Sequence, residues 1–302
     1  MRVLKTENCV LVGDVHLGRT FKNGVPLNRR GEIEEDFKRA FVKSLKECEG
    51  KKLYVQLGDL FDNFKVSYDL LLWTYETITD YIYADCQYYF IAGNHDLSRN
   101  PTDTSAIALL SLLFEGFPNV HFVIKDVVNL PDFGFSLVPW SYTAPLEDLL
   151  GKCTEGTILG HFEEPLHPGV VTSNSEFISG HIHLPHQNGK VKFIGSILPI
   201  AFGENEYNDG GMITVSLEEL LEMKKQELAQ RRVRVILKEG ETLPTDIDCK
   251  QLIAKKEGEL TQDGVQLEVN LEEFNFEELF KQCLGPSGKT TELWGKYLKL
   301  KG

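Results

Sequence analysis

An α/β layered architecture is expected from three features of the sequence. Short apolar runs rich in Val, Ile and Tyr recur along the chain, helical-period segments separate the first of them, and several runs give out directly into Asp, Asn or His, most through a Gly. The later runs follow one another with little helix between them, which favours a mixed sheet or two-sheet sandwich over a simple doubly wound sheet. Candidate strands lie at residues 9–13, 53–57, 88–92, 120–124, 135–138, 157–159, 176–179, 192–194 and 212–215, and candidate amphipathic helices at 32–48, 68–83 and 104–114. The polar, Gly-rich stretch 203–211 reads as a loop near the end of the main domain. Beyond it the pattern predicts a charged helix at 217–230, strands at 232–237 and 265–270, and two short helices at 276–283 and 291–300. The expected plan is a main domain over 1–217, a small α+β capping region over 218–270 and a helical tail over 271–302.

With 42% hydrophobic and 25% charged residues, the 302-residue chain has ordinary globular composition, which excludes collagen-like, disordered and disulfide-scaffold classes. A formal net charge of −13 should repel nucleic acid unless cations or local basic patches intervene. Cys9, Cys48, Cys86, Cys153, Cys249 and Cys283 are scattered and form no C-x-x-C pair, so neither a disulfide framework nor a structural zinc site is expected. The first apolar run is too short for a signal peptide, and none approaches the roughly 18 residues needed to cross a bilayer. A cytoplasmic protein with no membrane partner is the expectation.

The chemistry sits where the strands end. The first strand runs into Asp14-Val15-His16, the second into Gly58-Asp59-Leu60-Phe61-Asp62 and the third into Gly93-Asn94-His95-Asp96. Two later strands run into Gly160-His161 and Gly180-His181-Ile182-His183. Carboxyl ends of strands are where α/β sheets bind ligands, so these residues should converge. Nitrogen and hard oxygen donors without thiolate suit Mn²⁺, Fe or Zn²⁺, and a bridging carboxylate allows two metals about 3.5–4 Å apart.

At these residues the chain resembles the calcineurin-like metallophosphoesterase superfamily, whose blocks read Asp-x-His, Gly-Asp-x-x-Asp, Gly-Asn-His-Asp/Glu, Gly-His and Gly-His-x-His. All five are intact. The resemblance implies a four-layered fold, two mixed β-sheets flanked by helices. It also implies one divalent metal held by Asp14, His16, Asp59 and His183, and a second held by Asp59, Asn94, His161 and His181, with Asp59 as the bridge. The pair would activate a water and neutralise the phosphoryl oxygens. His95 is implied as the group that stabilises the transition state or protonates the leaving oxygen, and Asp62 as the carboxylate that orients it. For Asp96 a comparable part and a structural capping role stand equal.

Finer features choose within the superfamily. Asp14-Val15-His16-Leu17-Gly18, Gly58 to Asp62, and Ile194-Gly195-Ser196 followed by Ala201-Phe202-Gly203-Glu204 resemble the nuclease subunit of SbcCD-type repair complexes, a lineage that includes phage recombination nucleases. Protein Ser/Thr phosphatases carry Arg-Gly where Asn63-Phe64 stand here. The resemblance implies a DNA nuclease dependent on two Mn²⁺, with Mg²⁺ or another divalent metal as substitutes, acting as a 3′ to 5′ exonuclease and single-strand endonuclease. It further implies a homodimer through the helices at 66–83 and 105–114, and an SMC-like ABC ATPase (SbcC-like) docked on the C-terminal helix pair. The reduced C-terminal part suits a phage-encoded or minimal version working in a host cytoplasm.

Arg19, Lys22, Arg29 and Arg30 follow the first metal block with no acid among them, as a DNA-phosphate loop or as an ordinary solvated one. Arg231, Arg232 and Arg234 read as an unspecialised patch, and Tyr81, Tyr83, Tyr88 and Tyr89 as packing. Gly288-Lys289-Thr290 is not a Walker A loop, which would need Gly at the position of Cys283. Two other readings stay open: a small-molecule or cyclic nucleotide phosphodiesterase, and a non-catalytic scaffold for the ATPase.

Overall fold

The computed structural model describes residues 1–163, 175–204, 211–244 and 246–258, all within the compact unit Met1–Leu260. The strand expected at 265–270 and both C-terminal helices lie outside the described residues.

Two sheets face each other. The first has the order β1-β2-β3-β4-β5, built from Leu4–Lys5, Cys9–Val12, Leu53–Leu57, Gln87–Ile91 and Val120–Val123. It is parallel except for the short edge strand β1. The second is mixed, with the order β10-β11-β9-β8-β7-β6. Its strands are β6 (Val128–Leu130), β7 (Phe135–Val138), β8 (Thr157–Gly160), β9 (Glu176–Ser179), β10 (His186–Asn188) and β11 (Val191–Phe193).

Strand side chains alternate faces, and the core divides accordingly. Cys9, Leu11, Leu53, Val55 and Leu57 meet Leu137 and Leu159 between the sheets. Their sequence neighbours Val10, Val12 and Tyr54 point the other way, onto Ile33, Phe37 and Phe41 of α1 (Glu32–Lys46), Ile78 of α2 (Tyr68–Tyr81) and Leu110 of α3 (Ala106–Leu113). On the far side, Ile158, Phe177 and Phe193 pack on Leu149 of α4 (Leu146–Leu150). The central strands are therefore buried on both faces, which is why they read as unbroken apolar runs. Layers run helix, sheet, sheet, helix, as the resemblance implies.

The helices start where capping side chains allow. Ser67 accepts a hydrogen bond from the Leu70 amide and Ser105 from the Ala108 amide.

A third sheet, wholly parallel, joins β12 (Met212–Ser216), β13 (Arg232–Leu237) and β14 (Gln251–Lys256). β12, placed before the expected boundary at 217, thus pairs with strands beyond it. The single helix expected at 217–230 is two: α5 (Leu217–Glu222) and α6 (Lys225–Leu228), with Met223 extended at ψ 145 between them. In one straight helix Leu220, Met223 and Leu228 would fan over about 140° of circumference at ~100° per residue. The break lets all three pack against Val233 and Val235.

β14 was not foreseen, since its lysines weaken the apolar pattern; short β1, β6, β10 and α4 were also missed. Among the described residues the five cysteines are free, and no helix is long and apolar enough to cross a membrane.

Candidate metal centre

Every strand-terminal block delivers its residue to one place, and the turns are laced together to do it. Both the Val15 and His16 amides donate to the Asp59 carbonyl at 3.0 Å, joining the ends of β2 and β3. Asp96, fully buried, accepts from the amides of Leu60, Phe61 and Gly93 at 3.1, 2.9 and 2.9 Å, tying the Asp59 turn to the Asn94 turn. This is the capping role; burial and the neighbouring Asp59 charge push its carboxyl up against those three donors. His16, Asp59 and His181 sit at φ 51, 54 and 73, a region that side-chain-bearing residues rarely adopt. Three strained positions in one site mark a constellation held by its surroundings for function.

The donor atoms form three overlapping groups, two of which hold the implied ligands. In the first, His183 Nε2 lies 3.0 Å from His16 Nε2 and 3.2 Å from Asp14 Oδ2, and His16 Nε2 lies 3.8 Å from that same oxygen. In the second, Asn94 Oδ1 is 2.9 Å from His161 Nε2 and 3.0 Å from His181 Nδ1. Asp59 Oδ2 stands between them, 3.7 Å from His16 Nε2 and 3.3 Å from His161 Nε2. All seven implied ligands are thus brought together, with Asp59 placed to reach both groups.

The donor set fits divalent cations. Asp14 Oδ2 is buried and makes no hydrogen bond, although two imidazoles stand at ion-pair distance. Such an oxygen is costly to bury unless a cation completes it. Separations of 3.0–3.8 Å between nitrogen and oxygen donors are those of ligands sharing one ion at bonds of about 2.1 Å. Electrostatics agree: although burial opposes the charge, Asp59 lifts His161 to about 9, and Asp14 with Glu204 lifts His183 to about 10. Burial, with His161 beside it, lowers His181 to about 4. The carboxylates draw positive charge into the pocket, and cations supply it without protonating the ligands. Bound there, divalent cations supply Lewis-acid stabilisation of phosphoryl oxygens and lower the pKa of a nucleophilic water.

The imidazoles are oriented from behind. His161 Nδ1 bonds the Leu57 carbonyl at 2.9 Å, His183 Nδ1 bonds Glu204 Oε1 at 2.9 Å, and the His181 amide donates to Asp14 Oδ1 at 2.9 Å. The exposed His95 uses Nδ1 on the Asp62 backbone carbonyl at 2.8 Å. This corrects the expectation that the Asp62 carboxylate orients His95. That carboxylate turns elsewhere: Oδ1 lies 3.2 Å from His16 Nδ1 and accepts from Arg19 at 3.0 Å.

The basic loop is also corrected in part. Arg29 is buried, bonded to Glu32, to Asp248 at 2.8 Å and to the Ala229 carbonyl at 2.7 Å, so it has no free face for phosphate. Lys22 and Arg30 are exposed, and Arg19 is half-exposed on Asp62. Arg29→Ala should therefore act on stability, costing about 1–3 kcal/mol in urea unfolding by leaving the Ala229 carbonyl unpaired. Its phosphodiester affinity should stay unchanged at matched salt.

Arg232 is likewise structural. Its buried guanidinium donates to the Pro199 and Ile200 carbonyls at 2.9 and 2.8 Å and lies over the Phe21 ring. Of the tyrosines expected to pack, Tyr88 is fully buried and Tyr81, Tyr83 and Tyr89 half-buried.

Sequence reasoning passed over Trp140 and Tyr142 and met Glu204 only as part of a family pattern. Trp140 stacks on His181 with ring centroids 5.5 Å apart, Tyr142 bonds the Asn94 carbonyl through its hydroxyl at 3.0 Å, and Glu204 holds His183. The first two follow β7, a strand end with no Asp, Asn or His to flag it.

Buried carboxylates facing imidazoles across 3–4 Å, with an exposed histidine alongside, are the means of hydrolysing phosphoesters with bound cations. The protein is a metal-dependent phosphoester hydrolase. It belongs to the calcineurin-like phosphoesterase family, whose model matches residues 8–185, more than half of the chain and all seven ligand positions. No curated protein sequence matches the chain.

Proposed function

We propose that this phosphoesterase is a Mn²⁺-dependent DNA nuclease subunit of an SbcCD-like recombination or repair complex, combining 3′ to 5′ exonuclease and single-strand endonuclease activity. One observation carries the reading. The stretch 194–204, by which the chain resembles those nucleases beyond the five shared blocks, is built into the metal centre. The Ile197 amide donates to the Asp14 carbonyl at 2.8 Å, and Glu204 holds His183. Arg19, held on Asp62, and the exposed Lys22 and Arg30 that follow it in the chain are the cations proposed to meet phosphate.

A homodimer belongs to the same proposal. Tyr68 and Leu72 on α2, and Leu109, Leu112 and Leu113 on α3, are exposed on the two helices that follow the Asp59 and Asn94 blocks. Exposed apolar patches of this kind mark association surfaces. The SMC-like ATPase would dock through the C-terminal segment.

Linear duplex and single-stranded DNA should be cut with Mn²⁺ present, alone or with the ATPase subunit, and not after chelation. Turnover of bis(p-nitrophenyl) phosphate with DNA left intact under both conditions would replace this reading with a small-molecule or cyclic nucleotide phosphodiesterase. Turnover of neither would leave the scaffold.

A further inference from the structure

We propose that Glu204 is a positioning residue of the metal centre, fixing the tautomer and direction of His183 so that Nε2 is presented to the cation beside Asp14. The inference rests on His183 being a ligand. Nδ1–H of His183 donates to Glu204 Oε1 at 2.9 Å, so the lone pair is confined to Nε2, the atom 3.2 Å from Asp14 Oδ2 and 3.0 Å from His16 Nε2. The other carboxylate oxygen, Oε2, accepts from the Ile200 amide at 2.7 Å. Glu204 is thereby clamped at both oxygens and cannot swing away from the ring.

The segment that carries it is held independently. Arg2 donates to the carbonyls of His183 and Glu204, each at 3.0 Å, tying ligand and positioning residue to one guanidinium. The Ser196 amide donates to the His183 carbonyl at 3.1 Å. From the third sheet, Arg232 grips the Pro199 and Ile200 carbonyls, and its guanidinium lies 5.7 Å from the centre of the Phe202 ring. A backbone fastened at 196, 199, 200 and 204 is a bracket, and what the bracket delivers is one carboxylate to one imidazole. The same wiring links the β12-β13-β14 sheet to the chemistry, through Arg232 rather than through any residue of its own in the site.

Only a double acceptor satisfies both donors. A glutamine can accept from His183 Nδ1–H with its amide oxygen, but it must then turn its NH₂ toward the Ile200 N–H. Glu204→Gln should therefore be intermediate and Glu204→Ala worst.

The test is Mn²⁺ calorimetry on the full chain, with the imidazole ¹⁵N spectrum of the protein loaded with diamagnetic Zn²⁺, which keeps the ligand rings neutral, as a readout apart from activity. Two ions should bind wild type. Glu204→Ala should weaken one site about 10–100-fold and leave the other within about 3-fold, with Glu204→Gln between them. The His183 nitrogens, assigned by loss of their signals in His183→Ala, should shift from a single Nδ1–H tautomer toward a mixture in Glu204→Ala. Equal weakening of both sites, weakening of neither, or an unshifted spectrum in Glu204→Ala would overturn the positioning role. If His183→Ala itself left both ions bound, the ligand assignment would fall instead.

Discussion

Asp59→Ala is expected to abolish binding of both cations and to lower phosphodiester hydrolysis by roughly 10³-fold or more, whereas removal of a ligand confined to one group should spare the other site. The asymmetry follows from position. Asp59 Oδ2 reaches His16 Nε2 at 3.7 Å and His161 Nε2 at 3.3 Å, while Oδ1 accepts from the His95 amide at 2.8 Å. One side chain thus joins both donor groups and anchors the turn bearing Asn94 and His95. Titration with Mn²⁺ by calorimetry or electron paramagnetic resonance should show no tight site in Asp59→Ala. One full-affinity site remaining would mean that Asp59 does not bridge. Gly93→Ala offers a second route to the same result with Asp59 intact. A Cβ at position 93 would stand against Asp59 Oδ1 and the Asp59 backbone nitrogen, closer than real atoms approach, and neither can give way. Loss of metal affinity in Gly93→Ala would show that the glycine preceding Asn94 is there to let the bridge come close.

That glycine shows how much of the centre was legible in sequence. Gly58, Gly93 and Gly180 stand at three strand ends, and each has a site atom, His161 Nδ1, Asp59 Oδ1 or Asp14 Oδ1, where its Cβ would be. A Gly before Asp, Asn or His at the end of an apolar run is a local pattern with a steric cause, and it brings out Asp14, Asp59, Asn94, His161 and His181; His16 and His183, two residues further on, came with the family's blocks. Strands buried on both faces were equally plain, because Leu53–Leu57 and Phe135–Val138 each carry a single polar residue, Gln56 and Ser136, too few to make a polar face.

What stayed hidden depends on distance along the chain. Arg29 looks like a surface cation until Asp248 and Ala229, some 200 residues away, are folded onto it. Arg232 looks like a basic patch until Pro199 and Ile200 face it. Glu204 was visible only as part of a family pattern, because its partner His183 is 21 positions off. Asp62 misled for the opposite reason: its carbonyl, which no sequence pattern reports, does the work assigned to its carboxylate. The net charge of −13 misleads in the same way, since Asp14 and Asp59 are counted as free anions although their surroundings are arranged to hold cations.

His95→Ala should keep both metals and lose cleavage. With Nδ1–H donated to the Asp62 carbonyl at 2.8 Å, Nε2 is the nitrogen left for substrate, and the ring is exposed rather than enclosed with the ligands. A histidine so placed can stabilise charge on the phosphoryl group or protonate the departing oxygen, contributions of roughly 10²–10⁴-fold. Leaving-group dependence separates the two. An alkoxide such as the sugar oxygen of a dinucleotide needs a proton to depart, whereas p-nitrophenolate does not. If His95 is the acid, His95→Ala should slow the dinucleotide by roughly 10³-fold and bis(p-nitrophenyl) phosphate by only about 10-fold. If it stabilises phosphoryl charge, both should fall alike. The third donor group in the pocket, His16, Asp59 and His95, raises a competing assignment of His95 as a ligand. Mn²⁺ stoichiometry decides it: two ions bound with unchanged affinity in His95→Ala keeps His95 on the substrate side, and loss of one moves it into the ligand set.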